Sequence, residues 1–564
     1  MLRRFNGMKK LLIYITAAAV CIAAMAQARS NKTDLARNLT IFNSLVKELE
    51  TNYVDTIDPA SLIRTAIDAM LNEIDPYTEY YPADEQEELT SISSGQYGGI
   101  GAYILKRGDR VIIHQPIWDA PALNAGLRHG DVILRVDTVT ITPGMASDKV
   151  SKLLRGQPGS RLSVTVRRPY VQDSIITVDL TRRNINVNPL PYYGLDSTGT
   201  GYLRLTTFNE KSAGQVTDAV AAMKRDGMRG LIIDLRGNGG GLLESAVQIA
   251  GLFVPKGTEI VRTRGFEQKR DKVYKTTRQP IDTSLPLIIM TDEGTASASE
   301  ILAGSLQDLD RAVIVGERSY GKGLVQIPRP LPYDALMKVT VARYYIPSGR
   351  LIQAIDYSHR NPDGSVARIP DSLRHTWYTR AGRPVLDGGG ITPDVAVSDT
   401  SMNRLLYNVI ADMWAYDFAN RYAARHPAAP DRDWVPDDSV FAEFKAFIDP
   451  ARFKYDRMSE NGIDYLRQAA QAEGYMNDSV AAQLDILARL MKHDLGRDLD
   501  YNRAELIKIL DSELSERYFS DSERVRRALR YDLEVDTARA VITDAQRYKA
   551  ILAPKKQSEK PSKK

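Results

Sequence analysis

Three strand-length apolar runs, broken only by Asp234, constrain this chain more than any other feature: residues 230–235, 286–290 and 312–315. Each has the length of a strand and no polar alternation, so both faces of each strand must be covered. The first is followed by a glycine turn and a helical stretch from Leu242 to Phe253. The second leads into a helical stretch from about Ala296 to Leu309. Alternation of buried strands with helices over residues 199–345 predicts a layered α/β domain.

A chain of 564 residues has room for three or four such domains. Arg3, Arg4, Lys9 and Lys10 precede an apolar run from Leu11 to Ala26, and Ala24-Met25-Ala26-Gln27-Ala28 offers small residues in an A-x-A spacing. That pattern predicts a secretory leader over residues 1–28, with a retained membrane anchor as the alternative. The formal charge of +4 resides in those four basic residues, so the chain after residue 28 is neutral. Neutrality gives no electrostatic reason to expect nucleic acid. The single cysteine, Cys21, lies in the apolar run. The remaining chain therefore has no disulfide, thiol nucleophile or thiolate metal site, and its stability must come from packed cores.

Further domains flank the α/β region. Residues 32–92 have apolar spacing of three and four and read as a helical segment, broken at Asp75-Pro76. Residues 93–182 open on a glycine cluster and continue as short strands, a compact β-rich domain. The α/β core is expected over 183–399. Residues 400–552 read as almost wholly helical and show no titratable cluster suggestive of catalysis, so packing or dimerisation is their expected role. Residues 553–564 are Lys-, Ser- and Pro-rich, the composition of a disordered tail.

The chemistry is expected at three turns of the α/β core. Thr295-Ala296-Ser297-Ala298-Ser299-Glu300 joins a buried strand to a helix. A serine at a helix start can attack a carbonyl while neighbouring N–H groups stabilise the oxyanion; the same serines could equally be plain helix caps. Asp234-Leu235-Arg236-Gly237-Asn238-Gly239-Gly240-Gly241 ends another buried strand with more glycine than a tight turn needs, which suits an anion-stabilising nest. Tyr320-Gly321-Lys322-Gly323-Leu324-Val325-Gln326 follows the third strand. If extended, it places Lys322, Leu324 and Gln326 on one face. A lysine between glycines can fold into a crevice, where burial favours the neutral amine that accepts a serine proton; a solvated surface lysine is the commoner alternative. The six histidines, His114, His129, His359, His375, His426 and His493, all lie outside residues 130–358, which disfavours a histidine base. Gly316 to Lys322 matches the start of a phosphate-binding loop, but Gly323 stands where Ser or Thr should follow and a strand replaces the required helix.

These motifs, in this order, resemble the carboxy-terminal processing peptidases, or tail-specific proteases, over residues 40–396. The resemblance implies a crotonase/ClpP-like layered α/β peptidase core, an inserted β-rich PDZ domain and flanking helical regions. It implies Ser297 as nucleophile, Lys322 as general base and Gln326 as the residue that orients the amine. The oxyanion donors would be the N–H of Ala298 and a glycine at Gly240 or Gly241. Gly98, Gly99, Ile100 and Gly101 would form the loop that captures a substrate C-terminus, with the adjacent strand pairing to the peptide. Tyr97-Gly98-Gly99-Ile100-Gly101, Ser348-Gly349-Arg350-Leu351-Ile352-Gln353 and Gly389-Gly390-Ile391-Thr392-Pro393-Asp394 also fit the family. The run Gly237 to Gly241 departs from the family's usual Asn-Asn/Ser-Pro-Gly-Gly, and Thr295 stands where serine is common.

The expectation is an exported periplasmic serine endopeptidase, retained at the inner membrane if the leader is not cleaved. It would cut proteins with accessible C-termini and need no metal or organic cofactor. The C-terminal helices offer a surface for a homodimer, and an adaptor could deliver substrate. A peptide-binding scaffold on an inactive protease fold is the competing reading.

Overall fold

The computed structural model describes residues 34–86, 91, 93–171, 174–268, 271–361, 363–397 and 402–554. The leader expected over 1–28 and nearly all of the expected tail lie outside them. The chain forms two compact units, one made of residues up to Tyr81 with Pro328–Val339 and the other of the remainder.

In the smaller unit, residues 34–52 and Pro59–Asn72 are helical. The Asp75 carboxylate accepts from the N–H groups of Tyr77 and Thr78 at 2.8 Å each, closing the turn that Asp75-Pro76 forces. A short strand, Glu79–Tyr81, then pairs antiparallel with residues 336–338. The described residues of this segment are thus helical with one strand added.

In the larger unit, an antiparallel sheet of six strands runs Ala102–Arg107, Arg110–Pro116, Val132–Val136, Arg161–Arg168 and Ser174–Thr181, with the short Val139–Thr140 paired to Val132–Val136 off this path. Leu162, Val164 and Val166 alternate inward with polar residues between them, the period of a half-buried strand. Gln96–Gly99 pairs antiparallel with Arg183–Asn186, so the chain enters and leaves this β domain side by side.

The core sheet runs Tyr192–Leu195, Thr200–Arg204, Gly230–Asp234, Leu287–Thr291, Val313–Gly316 and Val395–Ala396. Only the first pairing is antiparallel. Leu231 and Ile233 face one layer, with helices Ser212–Arg225, Leu243–Ala250 and Ala298–Asp308. Ile232, Ile288, Met290, Val313 and Val315 face the other, where Val535, Ala538, Val541, Ile542 and Tyr548 cover them. The two helices Leu533–Thr543 and Ala545–Leu552 therefore complete the core layer, a role that their sequence position does not announce. Helices Arg404–Ala411, Trp414–Arg425, Asp438–Phe447, Leu495–Tyr501 and Arg503–Tyr518 instead share a separate core built on Phe418, Phe444, Leu506, Leu510 and Leu514. Helix Trp414–Arg425 also grips the β domain: Tyr416 Oη donates to the carbonyl of His114 at 2.7 Å, and Asp417 pairs with Arg107 at 2.6 Å. Among the described residues, no helix is long and apolar enough to cross a membrane.

Candidate active site

Ser297 sits where the Leu287–Thr291 strand turns into the Ala298–Asp308 helix, with φ +58° and ψ −116°. A non-glycine residue there carries roughly 1–3 kcal/mol of strain, which the surroundings must offset. They do so by locking two strand-end turns together. The carbonyl of Asn238 accepts from the Ala296 N–H at 3.0 Å and from Ser299 Oγ at 2.8 Å. Asp292 accepts from the N–H of Gly237 at 2.8 Å and of Gly294 at 3.0 Å. Gly240, at φ +102°, lies so close that a Cβ on it would stand 2.8 Å from Ser297 Cβ and 2.9 Å from the Ala298 nitrogen.

The carboxyl of Glu300 ties the serine turn to the lysine turn. It is wholly buried. Oε2 accepts from the Ser297 N–H at 2.9 Å and the Lys322 N–H at 2.8 Å. Oε1 accepts from Ser319 Oγ at 2.5 Å and the Gly321 N–H at 2.8 Å. One oxygen thus fixes the backbones of both expected catalytic residues. Burial pushes this carboxyl up to about 7, against four donors that favour its ionised form. From the other side, the Tyr344 hydroxyl lies between the carbonyl oxygens of Ser297, at 3.1 Å, and Lys322. Tyr344 is itself buried, on a strand paired with Glu259–Gly265. Neither Glu300 nor Tyr344 was expected here. Glu300 has the three-residue spacing of a capping box, a signal that also fits a plain helix cap.

Lys322 is half-buried, in irregular backbone ahead of the Leu324–Pro330 strand. The extended face expected for Lys322, Leu324 and Gln326 thus begins only at Leu324. Gln326 Nε2 donates to Thr340 Oγ1 at 3.1 Å, which fixes its amide on the neighbouring strand. Glycine is needed at 323, where a Cβ would come within 2.9 Å of the Gln353 nitrogen.

Of the expected oxyanion donors, Gly240 requires a correction. Its N–H donates to Asn238 Oδ1 at 2.9 Å, within the turn, so it acts as a spacer against Ser297. The N–H groups of Ala298 and Gly241 donate to no group among the described residues, and Gly241, at φ +136°, could not carry a Cβ, which would lie 2.1 Å from the Phe208 oxygen. The Asp234-Leu235-Arg236 run is structural. Burial pushes the Asp234 carboxyl up, but Arg236, Arg204 and Tyr202 outweigh it and hold the group at about 2. Arg236 also pairs with Asp532 at 2.6 Å and with Glu534, pinning the glycine turn to the start of the Leu533–Thr543 helix.

Among the described residues, no hydrogen bond joins a histidine to Ser297, and each histidine has partners elsewhere. His114 stacks on Tyr416, which His129 meets edge-on. His359 pairs with Asp356, His375 lies near Asp387, and His426 stacks on Tyr422. His493 pairs with Asp498. In the β domain, Gly98 and Gly99 end a strand, where a Cβ on Gly98 would stand 2.2 Å from the Gly156 oxygen. The open turn is therefore Ile100–Gly101 alone, with Ile100 buried and Gly101 at φ +71°, leading into the Ala102–Arg107 strand.

Residues 199–363 match the model of peptidase family S41, residues 98–187 match that of the PDZ domain, and residues 405–542 match that of the probable PDZ-protease C-terminal helical domain. A carboxy-terminal-processing protease of Bartonella bacilliformis is 33% identical over 342 residues, which cover 60% of this chain and 78% of that protein. A probable CtpA-like serine protease of Staphylococcus aureus is 33% identical over 326 residues, 57% of this chain and 64% of that one. The solved photosystem II D1 C-terminal processing protease is 28% identical, covers 64% of this chain and 94% of its own, and superposes with a TM-score of 0.36.

Proposed function

The chain belongs to peptidase family S41, the carboxy-terminal-processing proteases, and is a serine protease; from that premise we propose that it is an exported endopeptidase working through Ser297 and Lys322. The observation that carries the proposal is the pair of hydrogen bonds by which Glu300 Oε2 holds the backbones of both residues. Ser297 Oγ attacks the scissile carbonyl as the neutral Lys322 amine takes its proton. Gln326 steadies that amine, and the N–H groups of Ala298 and Gly241 receive the oxyanion. The ammonium of Lys322 returns the proton to the departing amine, and water then hydrolyses the acyl-enzyme.

The PDZ domain suggests that substrates are held by their C-termini. The Ile100–Gly101 turn would take the carboxylate and the Ala102–Arg107 strand would pair with the tail, feeding the chain upstream towards Ser297. The basic and apolar start of the sequence supports export, retained or released according to whether the leader is cleaved. A homodimer through the C-terminal helices and an adaptor for delivery are compatible with this reading. The test is cleavage of an unfolded protein with a free apolar C-terminus against the same protein ending in two aspartates. Strong preference for the free apolar tail, lost on deletion of residues 95–182, is expected. Equal cleavage of both substrates, or unchanged preference after the deletion, would refute C-terminal selection by this domain.

A further inference from the structure

The C-terminal helices hold a second serine whose setting has nothing to do with Ser297. Ser459 stands in the first turn of the helix Met458–Ala472. Its Oγ lies 2.8 Å from His493 Nε2, and His493 Nδ1 lies 2.6 Å from Asp498 Oδ2. The Asp498 carboxylate, which also accepts from the Tyr455 hydroxyl, favours the tautomer with the proton on Nδ1. Nε2 is then the acceptor for the Ser459 proton. His493 is fixed a second time by its own N–H, which donates to Glu460 Oε1 at 2.9 Å. All three side chains line one cavity of about 540 Å³, within the ordinary range for small-molecule sites. Met458, Leu490, Met491 and Tyr501 make much of its wall apolar.

We propose that Ser459, His493 and Asp498 form a second nucleophilic site, which hydrolyses carboxylic esters with a small apolar acyl group. Serine-histidine-aspartate chemistry is defined by geometry, independent of fold and of chain order. Three observations meet here: a directed relay of two hydrogen bonds, a cavity that reaches the serine, and the place of Ser459 in the first turn of a fifteen-residue helix. Ser459 Oγ bonds to the carbonyl carbon as its proton passes to His493 Nε2. The bond from that carbon to the alcohol oxygen breaks, and His493 returns the proton to the departing alkoxide. Water, deprotonated by the same imidazole, then releases the acid and restores Ser459. An ester suits the site because its alcohol leaves more readily than an amine. The apolar wall selects the acyl part.

The test uses the full chain with Ser297→Ala, which removes the proposed peptidase nucleophile, so the result does not depend on that reading. The probes are 4-nitrophenyl butyrate turnover and labelling by an alkyl fluorophosphonate, followed by peptide mapping. Label on the peptide carrying Ser459 is expected, together with a loss of turnover of about tenfold or more on adding Ser459→Ala or His493→Gln. Matching thermal unfolding midpoints for parent and Ser459→Ala proteins separate this loss from a loss of fold. Turnover unchanged by Ser459→Ala, or absence of label at Ser459, would overturn the proposal.

Discussion

The turn at Ser297 and the cluster at Ser459 place a serine beside a proton acceptor by opposite means. At Ser297 the backbone does the work: two strand-end turns are tied by one buried carboxylate, and the serine itself is held at a positive φ. At Ser459 the side chains do it: two helices and the loop that carries His493 present a serine, a histidine and an aspartate to each other across 39 residues. A backbone-built site leaves its record in local sequence as glycines and small residues. A side-chain-built site leaves almost none.

This contrast can be broken most severely at Gly241. A Cβ there would collide with the Phe208 carbonyl, so Gly241→Ala should lower kcat/KM for protein cleavage by about a hundredfold or more. Parent-like kinetics would show that this turn is not part of the site. Glu300→Gln comes next. An amide has one acceptor oxygen where Glu300 offers two, so one pair of donors loses its partner. A fall in kcat of about ten- to a hundredfold with KM little changed is expected from steady-state kinetics. Tyr344→Phe removes one polar tie between Ser297 and Lys322 and should reduce kcat by a few fold, at about 1 kcal/mol in unfolding free energy by denaturant titration.

The smallest effect is on pH dependence. Glu300 is raised from its unfolded value of 4.5 to about 7, so the folded protein binds the proton more tightly. Its contribution is present at low pH and is lost as pH rises from about 4.5 through 7. Denaturant midpoints should fall across that window in the parent and fall less in Glu300→Gln. An identical slope in both proteins would mean that Glu300 does not titrate there.

Legibility in the sequence followed the same contrast. Three apolar runs announced a sheet covered on both faces, and Leu231 and Ile233 indeed face one layer while Ile232 faces the other. Which helices formed the second layer was not legible, because the amphipathic pattern of Leu533–Thr543 says only that one face is buried, not against what. Ser297 was picked out by small residues where a buried strand meets a helix, and Lys322 by the glycines that flank it. The choice between Gly240 and Gly241 was open in the sequence because a glycine-rich turn looks the same whether its N–H points at a substrate or, as that of Gly240 does, at Asn238. Glu300 was hidden by its resemblance to a cap. Ser459, His493 and Asp498 carry no local signature, since only the packing of one helix against a later loop and helix brings them together.

Everything at the first site turns on an amine, not an imidazole, taking the proton from Ser297. The most direct measurement is single-turnover cleavage of an unfolded tailed protein by the parent and by Lys322→Ala, with the fold of each checked by thermal unfolding. A rate loss of about a thousandfold or more in a folded Lys322→Ala protein is expected. Cleavage within about tenfold of the parent would contradict the lysine mechanism outright.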